Sequence, residues 1–166
     1  MTGVQTCALP IFFDPTISYE DLRWIRTQWS GNLVVKGIQR VDDAIAAVDA
    51  GADAIILSNH GGRQMDRSVV PYTLIPDVVA AVGKRAEVHM DTGIMHGSDV
   101  IAAIASGATF TWAGRAYLYG LMAGGRAGVD RALEILRSQM LRTMKLLGAR
   151  NLAELNPDHV SYLRNM

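Results

Sequence analysis

The sequence holds a single cysteine, Cys7, so no internal disulfide framework can form, and a reducing compartment fits the chain. It contains no run approaching the roughly 18 apolar residues that a membrane-spanning helix needs. Neither sign of charge predominates: 16 Lys and Arg balance 16 Asp and Glu. That balance removes the electrostatic reason to expect nucleic acid or an anionic membrane surface as a partner. The apolar stretch "CALPIFF" has no Lys or Arg ahead of it and makes a poor secretory signal. What remains is ordinary globular composition, 49% hydrophobic over 166 residues. The expected location is cytoplasmic, or peripheral to the inner face of the membrane.

The first residues share no periodicity or composition with the rest of the chain. "MTGVQTCALPI" resembles the conceptual translation of a sequencing-library adapter, read in frame into a gene fragment; the alternative is an ordinary N-terminal tail. The expected organisation is a non-native leader over residues 1–11 and one partial domain over residues 12–166, cut upstream of Phe12.

From there strand and helix patterns alternate. "DPTISYEDLRWIRTQWSG" reads as a helix, with Ser18 and Asp21 at capping-box spacing and Leu22, Ile25 and Trp29 on one face. "NLVVKGI", "DAIILSNH", "EVHMDTG" and "TFTWAG" read as short strands. Between them lie helix patterns: "VDDAIAAVDAGA", "IPDVVAAVG" with Pro76 suited to a first turn, and "HGSDVIAAIASGA". A short helix "AYLYGLMAGG" and a long one from about Gly128 to Leu147, stopped by Gly148, complete the pattern. Short connections between alternating elements mean βα units and a parallel sheet covered by helices. "DAIAAVDAGAD" from Asp43 echoes "DVIAAIASGAT" from Asp99, which suits repeated units. Four units form either a small open sheet or half of a (β/α)₈ barrel, which takes roughly 250 residues; the loops favour the half barrel.

Every strand pattern ends in chemistry. The ends are Lys36-Gly37, "SNHGGR" from Ser58, "DTG" from Asp91 to Gly93, and Gly114-Arg115. In a barrel all four ends meet at one face, where function sits. His60 can take a proton near neutral pH, and Arg63 can hold a carboxylate bidentately. A base beside a carboxylate clamp suits proton removal from a small acid; the alternative is a structural histidine beside a solvated arginine. Backbone amides near Gly93 and Gly114, a helix start and Arg115 could together hold a phosphate. The alternative there is two turn glycines and a surface cation. No cluster proposes a metal.

"LVVKGI", "GADAIILSNHGGRQMD", "VHMDTGI" and "GRAYLYGL", in this order and spacing, resemble the C-terminal half of the FMN-dependent α-hydroxy acid dehydrogenases and oxidases. The likeness runs from about Phe13 to Val160, and "SNHGGRQ" is its most specific part. The resemblance implies an α/β fold, the parallel (β/α)₈ TIM barrel, with about its second half present as four βα units. It implies an FMN-dependent enzyme of the L-lactate dehydrogenase kind, oxidising a small L-2-hydroxy acid to the 2-oxo acid. His60 would be the active-site base and Arg63 the carboxylate-binding arginine. Lys36 would lie at the flavin pyrimidine edge and Ser58 close to the flavin. Asp91, Gly93, Gly114 and Arg115 would hold its ribityl chain and phosphate. The acceptor that reoxidises the flavin would be oxygen, a quinone or a cytochrome, and the full-length parent would be a homo-oligomer.

Two departures stand out. "DTGIMHG" carries Met95 where the family usually has a phosphate-binding arginine, with His96 beside it. The first half of the barrel, which would supply the carboxylate that orients the catalytic histidine, is missing from the matched stretch. His89, inside a strand, reads as a packed core histidine, and His159 has no chemical context. The competing readings are a non-catalytic half barrel that self-associates or pairs with a complementary half, and a phosphate-binding barrel of the IMP-dehydrogenase kind. The latter predicts a loop cysteine, and Cys7 is the only one.

Overall fold

Ser18 opens the structure with a reciprocal cap: the Asp21 carboxylate accepts from the Ser18 amide at 2.7 Å and from its hydroxyl at 2.9 Å. The computed structural model describes residues 16–161, so the leader expected over residues 1–11 lies outside the described residues. The capped helix is α1, Tyr19–Gln28. It buries no residue fully, and docks through the Tyr19 hydroxyl, which donates to Asp43 Oδ1 at 3.0 Å.

Strand and helix then alternate as the pattern requires: β1 (Val34–Ile38), α2 (Val41–Asp49), β2 (Ala54–Leu57), a 3₁₀ turn (His60–Gly62), α3 (Pro71–Val82), β3 (Glu87–Asp91), α4 (Gly97–Ala105), β4 (Phe110–Trp112) and α5 (Arg115–Leu147). The strands form one four-stranded sheet in the order β1-β2-β3-β4, every neighbouring pair parallel. Parallel neighbours linked by helices aim all four C-terminal strand ends at one edge.

Strand alternation decides what each face carries. Ile55, Leu57, Val88 and Met90 enter the main core with Ala44, Ala47, Ile75, Val78, Val82 and Ala103 from the helices. The register sets Lys36, Ile56, His89 and Phe110 across from one another, with Asp91 opposite Trp112. These residues share the other sheet face, on which Val34, Phe110 and Trp112 are exposed. A satellite cluster of Ile101, Ala105 and Leu155 joins α4 to Met140 and Met144 of α5.

Two details differ from or sharpen the sequence reading. Helix α3 starts at Pro71, five residues before Pro76, which lies inside it. Pro71 brings the pre-set φ that a first turn favours, and the apolar Tyr72, Leu74 and Ile75 pull that turn onto the core. Helix α5 runs over 33 residues but breaks at Gly124 and Gly125, whose backbones are non-helical. The expected pair of helices is therefore present, folded against each other. A Cβ on Gly128 would lie 1.9 Å from the Gly120 carbonyl oxygen, so only glycines allow that approach. Gly148 closes α5 in the left-handed conformation, φ 75°.

Candidate active site

At the strand tips the polar groups are arranged around one buried hydroxyl. Ser58, fully buried just past β2, donates to Asp91 Oδ1 at 2.6 Å. Its oxygen accepts from Lys36 Nζ at 2.9 Å and from the His60 amide at 3.1 Å. Lys36 Nζ also pairs with Asp91 Oδ2 at 2.6 Å. Thr92 donates to Asp91 Oδ1 at 2.7 Å and accepts from the Gly61 amide at 3.3 Å. Three strand tips are thereby stitched together. Burial pushes the Asp91 carboxyl up, but hydrogen bonds from Lys36, Ser58 and Thr92 and the lysine charge outweigh it, and the group is held below its ordinary range.

The loop after Ser58 turns back on itself. His60, Gly61 and Gly62 all have positive φ, 56°, 70° and 73°. Asn59 makes this possible by accepting from the Gly62 amide at 3.2 Å and donating to the Val69 carbonyl at 3.2 Å. The turn lays the His60 ring over Gly37, where an added Cβ would come within 3.1 Å of Cε1. The Arg115 guanidinium lies against Gly61 and donates to its carbonyl at 2.6 Å. Gly37 and Gly61 thus serve close approach, whereas Gly62, where an added Cβ would meet nothing within 4 Å, serves the turn.

Above this cluster opens a cleft of about 400 Å³, within the range of small-ligand and cofactor sites. Lys36, His60, Arg63, Asp91, Gly93, Gly114 and Arg115 line it, and Ser58 lies buried beneath. All eight residues singled out in the sequence therefore converge. The His60 ring and the Arg63 guanidinium make no hydrogen bond or ion pair within the described residues, and both residues are exposed. Among the described residues no acidic side chain bonds the His60 ring.

Two residues, Asp91 and Arg115, have protein partners besides lining the cleft. The Asp91 oxygens are occupied by Lys36, Ser58 and Thr92, so this carboxylate orients Lys36. Arg115 clamps the His60 loop as well as lining the cleft. Met95 lines the cleft too, its thioether bringing no charge. His96 sits at the start of α4, where Asp99 accepts its amide at 2.7 Å. His89 is buried, as read, and His159 accepts from the Asn156 amide at 3.2 Å. Sequence reasoning missed Asn59, Thr92, Trp112 and Leu118. The N-x-x-G spacing of Asn59 and Gly62 was a readable cap signal; nothing local marks Thr92, a threonine held at φ 79°.

Comparison with known proteins shows the family. The FMN-dependent dehydrogenase family matches residues 4–162. The chain belongs to this family. A Mycobacterium tuberculosis relative named "Putative L-lactate dehydrogenase" is 60% identical over 154 residues, 93% of this chain and 37% of its own length. The L-lactate dehydrogenase of Allorhizobium ampelinum is 45% identical over 88% of this chain and 38% of its own. Among solved structures, the monotopic membrane protein (S)-mandelate dehydrogenase superposes with a TM-score of 0.89 at 39% identity, over 95% of this chain and 42% of that one. A mandelate oxidase carrying an FMN adduct reaches 0.81 at 40% identity, over 86% and 45%. The chain thus spans less than half the length of these relatives, and its four βα units are part of a (β/α)₈ barrel.

FMN, the family's cofactor, suits the residues present. Around Gly93 and Gly114 an added Cβ would meet nothing within 4 Å, leaving space for a ligand against bare backbone. Gly114 and Arg115 open α5, whose first amides and positive dipole end suit a phosphate. Lys36, Arg63 and Arg115 outnumber Asp91 among the charged groups of the cleft, as a dianionic ligand requires. Among the described residues no group of His, Cys, Asp and Glu could hold a metal, and no helix is long and apolar enough to cross a membrane.

Proposed function

We propose that the protein oxidises a small, lactate-like L-2-hydroxy acid to the 2-oxo acid, with FMN as cofactor. One observation carries the reading: an imidazole and a guanidinium, both without a partner among the described residues, open into the cleft in which Lys36 is fixed by Asp91 and Ser58. Arg63 binds the substrate carboxylate as a two-pronged donor and so orients the substrate carbon. His60 takes a proton from the substrate at a ring nitrogen. Lys36, its charge aimed by Asp91, would hold the pyrimidine edge of the cofactor, and Ser58 fixes the Lys36–Asp91 pairing from below. Gly93, Gly114 and Arg115 hold the phosphate end. Bound FMN supplies the two-electron acceptor. The external acceptor would be oxygen, a quinone or a cytochrome. The protein acts in the cytoplasm or at the inner membrane face, and its full-length parent is a homo-oligomer.

The test uses the chain completed with the remaining barrel units of the 60% identical relative. His60→Ala should lower kcat on L-lactate by roughly 100-fold or more, the scale of general-base loss, with FMN retained. Arg63→Ala should chiefly raise KM. Loss of FMN in either variant with substrate affinity kept would overturn the assignment. A substrate panel belongs with the assay, because the pre-mycofactocin synthase of Mycobacterium tuberculosis is 46% identical over 143 residues.

A second reading has its own observation. Val34 and Phe110 stand exposed on the outer strands β1 and β4, which favours a non-catalytic four-unit piece that self-associates or pairs with a complementary half. Purified chain that is colourless after incubation with FMN would favour it.

A further inference from the structure

Trp112 is exposed and yet fixed. The residue is 45% exposed on the cleft wall, although burying so large a side chain would be the favourable course for a purely structural tryptophan. Two contacts hold it. The indole N–H donates to His89 Nδ1 at 3.3 Å, and Phe110 meets it edge-on at a centroid distance of 5.2 Å. His89 Nδ1 can accept only when the ring proton sits on Nε2, and Glu87 selects that tautomer by accepting from Nε2 at 2.8 Å. His89 itself is 7% exposed and cannot swing away. A chain of three side chains from adjacent strands therefore sets the plane of one ring. The register places Trp112 opposite Asp91, beside the Lys36 pair and two residues before Gly114.

We propose that Trp112 is the hydrogen-bond-oriented wall against which the flavin ring lies, with His89 and Glu87 as its positioning residues. The inference rests on the FMN reading of the cleft. It explains why an apolar face is kept open between a polar corner suited to the pyrimidine edge and a glycine-arginine corner suited to the phosphate. It also explains why β3 carries a glutamate at its first position and a buried histidine two residues on that no catalytic step uses.

The experiment titrates the full chain with FMN. Trp24 and Trp29 are both exposed on or at the end of α1; changing both to Phe leaves Trp112 as the sole tryptophan. FMN should quench its emission saturably. Trp112→Ala, in the otherwise unchanged chain, should raise the Kd for FMN roughly tenfold, the scale of one aromatic contact. His89→Asn keeps an acceptor near the Nδ1 position and should stay within about twofold of the parent, whereas His89→Leu removes it and should weaken FMN roughly threefold to fivefold, the scale of one hydrogen bond. His89→Leu should also shorten the anisotropy decay of Trp112. Circular dichroism checks that each variant is folded. Parent-like FMN affinity in Trp112→Ala, or equal behaviour of the Asn and Leu variants, would overturn the inference and leave the FMN reading standing. A parent chain that binds no FMN would overturn both.

Discussion

The Asp91 carboxylate has three hydrogen-bond donors around it, and this gives the site a pH limit of its own. Burial opposes its charge, but Lys36, Ser58 and Thr92 prevail, so the folded-state pKa lies below the ordinary 3.8. A depressed carboxyl contributes stability that is whole above the unfolded value and is lost as pH falls through the folded one. The contribution therefore holds at pH 6 and falls away below about 3.8. Urea midpoints measured from pH 6 down to pH 3 should decline less steeply for Asp91→Asn than for the parent, and parallel declines would show that the Lys36 pair does not stabilise the fold. At this scale the sequence was legible where residue type implies chemistry: His60, Arg63, Lys36 and Arg115 all reach the cleft. It was not legible where a role depends on geometry. Whether Asp91 would face a ligand or its neighbours depends on the β1–β3 spacing set by the strand between them, and Thr92 takes a left-handed φ that its residue type disfavours.

Each βα unit could be read from period and punctuation, because a buried parallel strand needs a short apolar run and its helix needs a stripe and a stop. The one boundary misread, α3, involved two prolines five residues apart, either of which suits a first turn; Ile75, with no exposed surface, extends the core face back to Pro71. The broken α5 depends more on tertiary contact. Gly124 and Gly125 reverse the chain so that Gly120 and Gly128 meet backbone to backbone. Gly128→Ala would put a methyl group against the Gly120 carbonyl, and the two segments would have to separate. The expected cost is about 1–3 kcal/mol, the range for overpacking, and a fall of about 2–10 °C in Tm by thermal unfolding. Gly114→Ala, at a position with open space around it, serves as the comparison for simple loss of a glycine. Equal effects of the two would mean that the close approach contributes nothing.

On the scale of the whole molecule, the sheet has two unpaired sides. Among the described residues β1 pairs only with β2 and β4 only with β3, and a barrel is the arrangement that would leave neither an edge. Both outer strands are also apolar at the surface, with Val34 and Phe110 each more than a third exposed. Unpaired N–H and C=O groups beside such side chains form a template for another strand. Parallel pairing of β4 from one copy with β1 from another would satisfy both at once, and the same parallel direction throughout the sheet makes that geometry available without unfolding. Sedimentation velocity across a concentration series should therefore show the chain associating beyond the monomer. Val34→Lys places a charge on the β1 edge, where strand-terminating lysines act in natural sheets, and should shift that series back toward monomer without altering the circular dichroism. A chain that stays monomeric at every concentration, or a lysine variant that associates as strongly as the parent, would mean that the exposed edges are already protected by their own side chains.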